Sequence, residues 1–139
     1  MSLDELEVYQ LAMDMGEHVW RLVSTWDFFA RDTVGKQWVR AADSVAANVS
    51  EGFGRFFYKE NRQFCYYGRG SLFETRTWLA KARKRGLIPE EDFQKLSGDL
   101  DTLGRRLNAY IKSIGNGPTQ VKESGPEWDT GDSDPMTND

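Results

Sequence analysis

Cysteine and histidine are nearly missing from this chain: of 139 residues, one is Cys65 and one is His18. A lone cysteine forms no intramolecular disulfide, and with a single histidine it supplies too few ligands for a zinc ribbon or finger. No metal and no cofactor are therefore expected. Proline is almost as scarce. Pro89 is the only one before residue 117, and Pro118, Pro126 and Pro135 follow it. Interior proline breaks helices, so this scarcity favours long ones. No apolar run approaches the roughly 18 residues that a membrane span requires. The opening MSLDELEVYQ is acidic where a secretory leader is basic and then apolar, so the cytoplasm is the expected compartment and no membrane partner is expected.

What is present points to one domain with a real core. Apolar residues make up 39% of the chain, with 8 Phe, 5 Trp and 5 Tyr among them, which excludes a wholly disordered chain. The net charge of -4 hides a strong asymmetry. Residues 1–35 carry two basic and seven acidic side chains, whereas Lys36–Arg85 carries eleven basic and four acidic. The segment 117–139 carries one basic and six acidic residues and almost nothing apolar beyond Val121, Trp128 and Met136. It cannot bury enough surface to offset its backbone entropy and is expected to be a disordered acidic tail behind a domain of residues 1–116.

Periodicity predicts four helices. The first, about Asp4 to Thr25, places Leu6, Tyr9, Met13, Trp20 and Val23 on one stripe with Val8, Leu11, Met15, Val19 and Leu22 beside it. Trp26 to Gly35 breaks the pattern and reads as a loop. A second helix, about Lys36 to Phe56, spaces Trp38, Ala42, Val45, Val49, Phe53 and Phe56 three or four apart. The third, about Glu60 to Arg85, carries Phe64, Tyr67, Ser71, Trp78 and Ala82, with Gly86 as its stop and Pro89 as the first helical position of the fourth. In that last helix Phe93, Leu96, Leu100, Leu103, Leu107, Tyr110 and Ile114 alternate steps of three and four, the seam of a bundle. The expected fold is all-α, an antiparallel up-down four-helix bundle.

Polar residues interrupt these stripes in two places. Ser44, Asn48 and Glu51 share one face of the second helix, and Ser71 and Glu74 one face of the third. Polar groups beside an apolar stripe need partners, so a cross-helix hydrogen-bond network is one reading; a Glu51/Glu74 carboxylate pair for acid–base work is the other. Gly52-Phe53-Gly54 and Gly68-Arg69-Gly70 complete no nucleotide-binding fingerprint, and they mark close helix approach or a kink. Cys65, beside Phe64, Tyr66 and Tyr67, has no histidine placed to activate it and reads as core. The basic side chains offer a phosphate-binding surface: Arg62, Arg69, Lys81, Arg83, Lys84 and Arg85 are the candidate nucleic-acid contacts, with Phe56, Phe57, Tyr58, Tyr66 and Tyr67 as stacking partners or core. Cations closing a helix C-terminus also suit its dipole.

Tyr9-Gln10-x-Ala12, then Gln37-x-x-Arg40-Ala41-x-x-Ser44-x-x-x-Asn48-x-x-Glu51-Gly52-x-x-Arg55, then Phe64 and Gly70-Ser71-Leu72-x-Glu74 resemble the four-helix bundle family encoded in intervening sequences of bacterial large-subunit ribosomal RNA genes. The resemblance covers about Leu3 to Ile114. It implies the same antiparallel bundle and a ring-forming homo-oligomer, pentamers being typical. A related group, the accessory proteins of diversity-generating retroelements, implies binding to RNA and to a reverse transcriptase through basic surfaces. No catalytic residues come with the family, so Arg40, Ser44, Asn48, Glu51, Arg55, Ser71 and Glu74 carry over as signature positions with no assigned chemistry and a structural role expected. The expected function is that of a non-enzymatic, homo-oligomeric adaptor for structured RNA; the alternative is a protein-interaction scaffold with no nucleic-acid role.

Overall fold

The computed structural model describes residues 1–115, and the expected disordered tail, residues 117–139, lies outside them. A 3₁₀ turn at Leu3–Glu5 leads into α1 (Glu7–Val23); α2 (Lys36–Phe53), α3 (Tyr58–Lys84) and α4 (Glu90–Ser113) follow. Among the described residues no strand forms, so the all-α expectation holds. Neighbouring helices run in opposite directions, as their facing residues show. Gly16 faces Asp43, while Val23 lies against Gly35. Gly52 faces Asn61 and Phe64, while Gly68 faces Asn48 and Val45. Glu7 meets Arg106 at 2.9 Å and His18 meets Asp92 at 3.0 Å, tying α1 to α4. Each helix thus packs on two neighbours, α4 closing back on α1.

The expected loop between the first two helices is shorter than the sequence suggests. Asp27 caps a helical turn, Phe28–Ala30, by accepting a hydrogen bond from the Ala30 amide at 2.9 Å. A π-helical turn, Arg31–Gly35, then runs straight into α2. A π turn adds a residue to the turn and shifts the phase of every side chain after it, which is why the apolar period fails here although the chain stays helical. Gly35 is required: a Cβ there would lie 2.7 Å from Val23 Cγ1 and 3.3 Å from the Trp26 ring. Beneath this turn Trp26 stacks on Trp38, ring centroids 5.8 Å apart.

The end of α3 follows the sequence reading. Gly86 adopts φ +70°; its amide bonds the Arg83 carbonyl at 3.0 Å and the Leu87 amide bonds that of Ala82 at 2.9 Å, a Schellman closure. Pro89 is the residue before α4, extended at ψ 150°, rather than its first helical position. Behind it Glu90, Glu91 and Asp92 fill the first turn.

The core confirms two stripes and corrects two. In α2 Trp38, Ala42, Val45, Val49 and Phe53 are buried, but the helix ends at Phe53, so the expected Phe56 falls beyond it and is exposed; in α4 Leu96, Leu100, Leu103 and Leu107 are buried. In α1 the buried set is Val8, Ala12, Met15, Val19 and Val23, with Met13 and Trp20 exposed. In α3 it is Tyr58, Asn61, Arg62, Cys65, Gly68, Leu72, Thr75, Leu79 and Ala82; Ala82 is buried as expected, but elsewhere the stripe lies one position out of phase with the expected Phe64, Tyr67, Ser71 and Trp78. Large aromatic residues drew the sequence reading outward; α3 packs on α2 through small ones, and Gly68 lets the backbones approach until a Cβ would stand 3.4 Å from Asn48 Cβ.

Candidate nucleic-acid interface

The six candidate phosphate contacts separate into two groups of three. Arg62, Arg69 and Arg83 belong, with Arg76 between them, to a set of arginines that recurs every seven residues and so shares the side of α3 that faces α4. Arg62 is buried and donates to the Gly115 carbonyl. Arg69 donates to Asn108 Oδ1 at 2.9 Å, and Arg76 pairs with Asp101 at 2.6 Å. Arg83 holds Glu90 through two donors, at 3.1 and 2.8 Å, and lies 4.1 Å from the Phe93 ring centroid. Each seven-residue step up α3, from 62 to 69 to 76, is matched by one back along the chain, from Gly115 just past the end of α4 to 108 and 101 within it. These arginines form a ladder fixing the register of an antiparallel pair. Of the three expected on phosphates, Arg62 is buried, whereas Arg69 and Arg83 are partnered at the surface. The Glu90 carboxyl is held below the usual range chiefly by the Gln94 side-chain amide, with Arg83 adding to it against the opposing effect of desolvation.

The second group is Lys81, Lys84 and Arg85, all exposed and without an ion pair among the described residues. They close α3, where cations complement the dipole. Arg85 lines a cleft with Asp27, Phe29, Ala30, Thr33, Val34 and Leu87, which sets it against the turn entering α2. That turn and the start of α2 bring Arg31, Lys36 and Arg40 to the same end of the bundle. The sequence reading passed over these three as phosphate contacts, because Arg31 lay in a supposed loop and Arg40 was treated as a signature residue.

Arg31, Lys36 and Arg40 border an open groove between α1 and α2, about 460 Å³ in volume, whose other lining residues are Trp20, Val23, Ser24, Gly35 and Val39. Its floor is apolar and no carboxylate lines it. Trp20 is 58% exposed. Lys36 has a loose partner in Asp32 at 3.7 Å, and Arg31 reaches the Trp26 carbonyl at 3.4 Å.

The signature residues do not form the expected cross-helix network. Ser44 donates to the Arg40 carbonyl at 2.8 Å and Asn48 to the Ser44 carbonyl at 2.9 Å. Glu51 pairs with Arg55 one turn on at 2.7 Å, and Arg55 also covers the Phe64 ring at 4.7 Å. Glu74 accepts from Trp78 Nε1 at 3.1 Å, and the Ser71 carbonyl accepts from Thr75. Nor are Glu51 and Glu74 a carboxylate pair. Glu51 lies level with the first turns of α3, and Glu74 stands about 15 Å further along it at 1.5 Å per residue. Among the described residues no group of His, Cys, Asp or Glu is placed to hold a metal ion.

The stacking candidates divide as well. Tyr58 is core, whereas Phe56, Phe57, Tyr66 and Tyr67 are exposed, Tyr66 beneath Arg69 at 5.2 Å. Cys65 is buried, as expected. No described helix is long and apolar enough to cross a membrane.

Comparison with known proteins agrees with this architecture. The family model described as 23S rRNA-intervening sequence protein matches residues 4–109. A solved structure from the S23 ribosomal protein family of Bacteroides thetaiotaomicron superposes with a TM-score of 0.68 at 18% identity, covering 76% of this chain and 98% of that one. At that identity the likeness is one of fold. No curated protein matches the sequence.

Proposed function

Because the chain belongs to the 23S rRNA-intervening sequence protein family, we propose that it is a non-catalytic adaptor for structured RNA, working in the cytoplasm as a homo-oligomeric ring, five copies being the expectation. The observation that carries the reading is the gathering of Lys81, Lys84 and Arg85 with Arg31, Lys36 and Arg40 at one end of the bundle. Here the six cations are left to solvent, while each ladder arginine already has a partner on or beside α4. Phosphate contacts need such exposed cations, and a ring would repeat the set in every copy. An RNA-handling protein such as a reverse transcriptase is the second partner that this reading accommodates.

The test is binding of a labelled structured RNA at about 50 and 200 mM salt. Several phosphate contacts make affinity fall steeply over that range. Lys81→Glu/Lys84→Glu/Arg85→Glu in one chain should weaken binding at low salt by at least tenfold and flatten the salt dependence. Unchanged affinity would remove the site, and no binding by the parent chain would remove the reading.

One observation favours the second reading, a protein-interaction scaffold without nucleic acid. Phe28 and Phe29 are 71% and 77% exposed on a capped helical turn, an apolar surface suited to a protein. That reading predicts loss of assembly on Phe28→Ser/Phe29→Ser and no RNA binding at any salt.

A further inference from the structure

We propose that the groove bordered by Trp20, Val23, Val39, Arg31, Lys36 and Arg40 is a pocket for one unpaired nucleotide, its base against Trp20 and its flanking phosphates on the three cations. This deepens the RNA reading and rests on it. The groove combines two properties that few surfaces share, an apolar floor formed by Val23 and Val39 and a rim whose charges are all positive. A single apolar side chain would satisfy the floor and leave the cations idle. A free phosphate would satisfy the cations and leave the floor idle.

The lining also argues against a peptide strand. Both walls are helices, whose backbone groups are already paired, and the one hydroxyl, Ser24, donates to the Arg21 carbonyl at 2.8 Å, so the groove offers an extended peptide no free edge to pair with. The occupant is therefore held by a flat apolar face and by negative charge. A nucleobase between phosphates has both, and aromatic and guanidinium planes are the usual platforms for it. Trp20 supplies the indole, and Arg31 and Arg40 border the same space. Lys36 and Arg40 stand one turn apart on α2, about 6 Å along the axis, so they can meet phosphates on the two sides of one sugar. Stacking is indifferent to the identity of the base, so the pocket selects an unpaired position rather than a sequence. Duplex phosphates bound at Lys81, Lys84 and Arg85 would bring a strand end or bulge to the same end of the bundle.

The experiment compares two labelled RNAs on the full chain: a blunt-ended hairpin, and the same hairpin with a short single-stranded 3′ extension carrying 2-aminopurine. The extended RNA should bind about 5- to 100-fold more tightly, the range expected of one stacked base, with 2-aminopurine fluorescence quenched on binding. Trp20→Ala should abolish both the gain and the quench and leave the blunt hairpin's affinity unchanged. Trp20→Phe should keep most of each, and its melting curve and that of Trp20→Ala should match the parent because the ring is exposed. Lys36→Glu/Arg40→Glu should also abolish the gain and the quench, and should weaken the blunt hairpin as well, since both cations belong to the basic end of the bundle. Equal affinity for the two RNAs with unmoved fluorescence overturns the pocket while leaving the RNA reading intact. Binding of neither RNA overturns the reading itself. A change of oligomeric mass in Trp20→Ala, measured by light scattering, makes the groove a subunit contact and overturns the pocket.

Discussion

Two glycines, one from each Gly-x-Gly element, stand in opposite surroundings. At Gly52 a Cβ would stand 2.7 Å from Asn61 Oδ1 and 2.8 Å from the Asn61 carbonyl, backbone that cannot swing away. At Gly70 nothing lies within 4 Å, so that helical position carries only the entropic cost of glycine. Gly52→Ala should therefore lose about 1–3 kcal/mol through overpacking, while Gly70→Ala should gain up to about 1 kcal/mol from helix propensity. Urea denaturation of the two variants checks both signs. Asp43 makes a second residue-scale case. Burial first, and the Glu17 charge second, raise its carboxyl above the ordinary value of 3.8. A carboxyl with a raised folded pKa favours the fold while protonated, and that contribution is lost as pH rises through the folded value. Asp43→Asn should thus raise the melting temperature at pH 7, by an amount that shrinks as pH falls toward 3.8. An equal gain at pH 3 and pH 7 would assign the effect to packing instead.

At the scale of the element, what could be read from the sequence depended on whether a pattern was internal to one helix. The stripes of α2 and α4 are apolar, regular and self-evident, and Gly86 marks its own turn. The π turn at Arg31–Gly35 escaped because it shifts the phase of the stripe, although Asp27 ahead of two phenylalanines was a legible cap signal. The stripe of α3 was misread because Cys65, Gly68, Thr75 and Ala82 give its core face little apolar signal, while Tyr66, Tyr67 and Phe73 face outward. The arginine ladder escaped for a different reason. Its seven-residue spacing is visible in the sequence, but its meaning depends on the register of α4, which no local pattern states. The ladder's rungs should also differ in strength. Arg62 is buried, and Arg62→Met leaves the Gly115 carbonyl without its donor, a loss of about 1–3 kcal/mol. Arg76 and Asp101 are 35% and 56% exposed, so Arg76→Ala should cost less than about 1 kcal/mol. Thermal melts should rank them in that order, and neither should change the RNA affinity of the folded chain as the Lys81, Lys84 and Arg85 reversal does.

At the scale of the whole molecule, the arrangement of charge matters more than its sum. The chain's formal charge is -4, yet its middle third is strongly basic, and residues 117–139 bring one lysine against six carboxylates. Without that segment the remainder carries a formal charge of +1. An acidic segment on the same chain competes with phosphate for the cations at the end of the bundle, and the competition is electrostatic, so salt must weaken it. Truncation after Asn116 should therefore raise affinity for a structured RNA several-fold at about 50 mM salt, with the two chains converging as the screening length falls to about 8 Å near 0.15 M. The reversal of Lys81, Lys84 and Arg85 should remove the gain, since it removes what the segment and the RNA both seek. A gain that persisted at high salt would point to occlusion by shape. Equal affinity at every salt would leave the acidic segment outside the RNA balance and assign its charge to a protein partner.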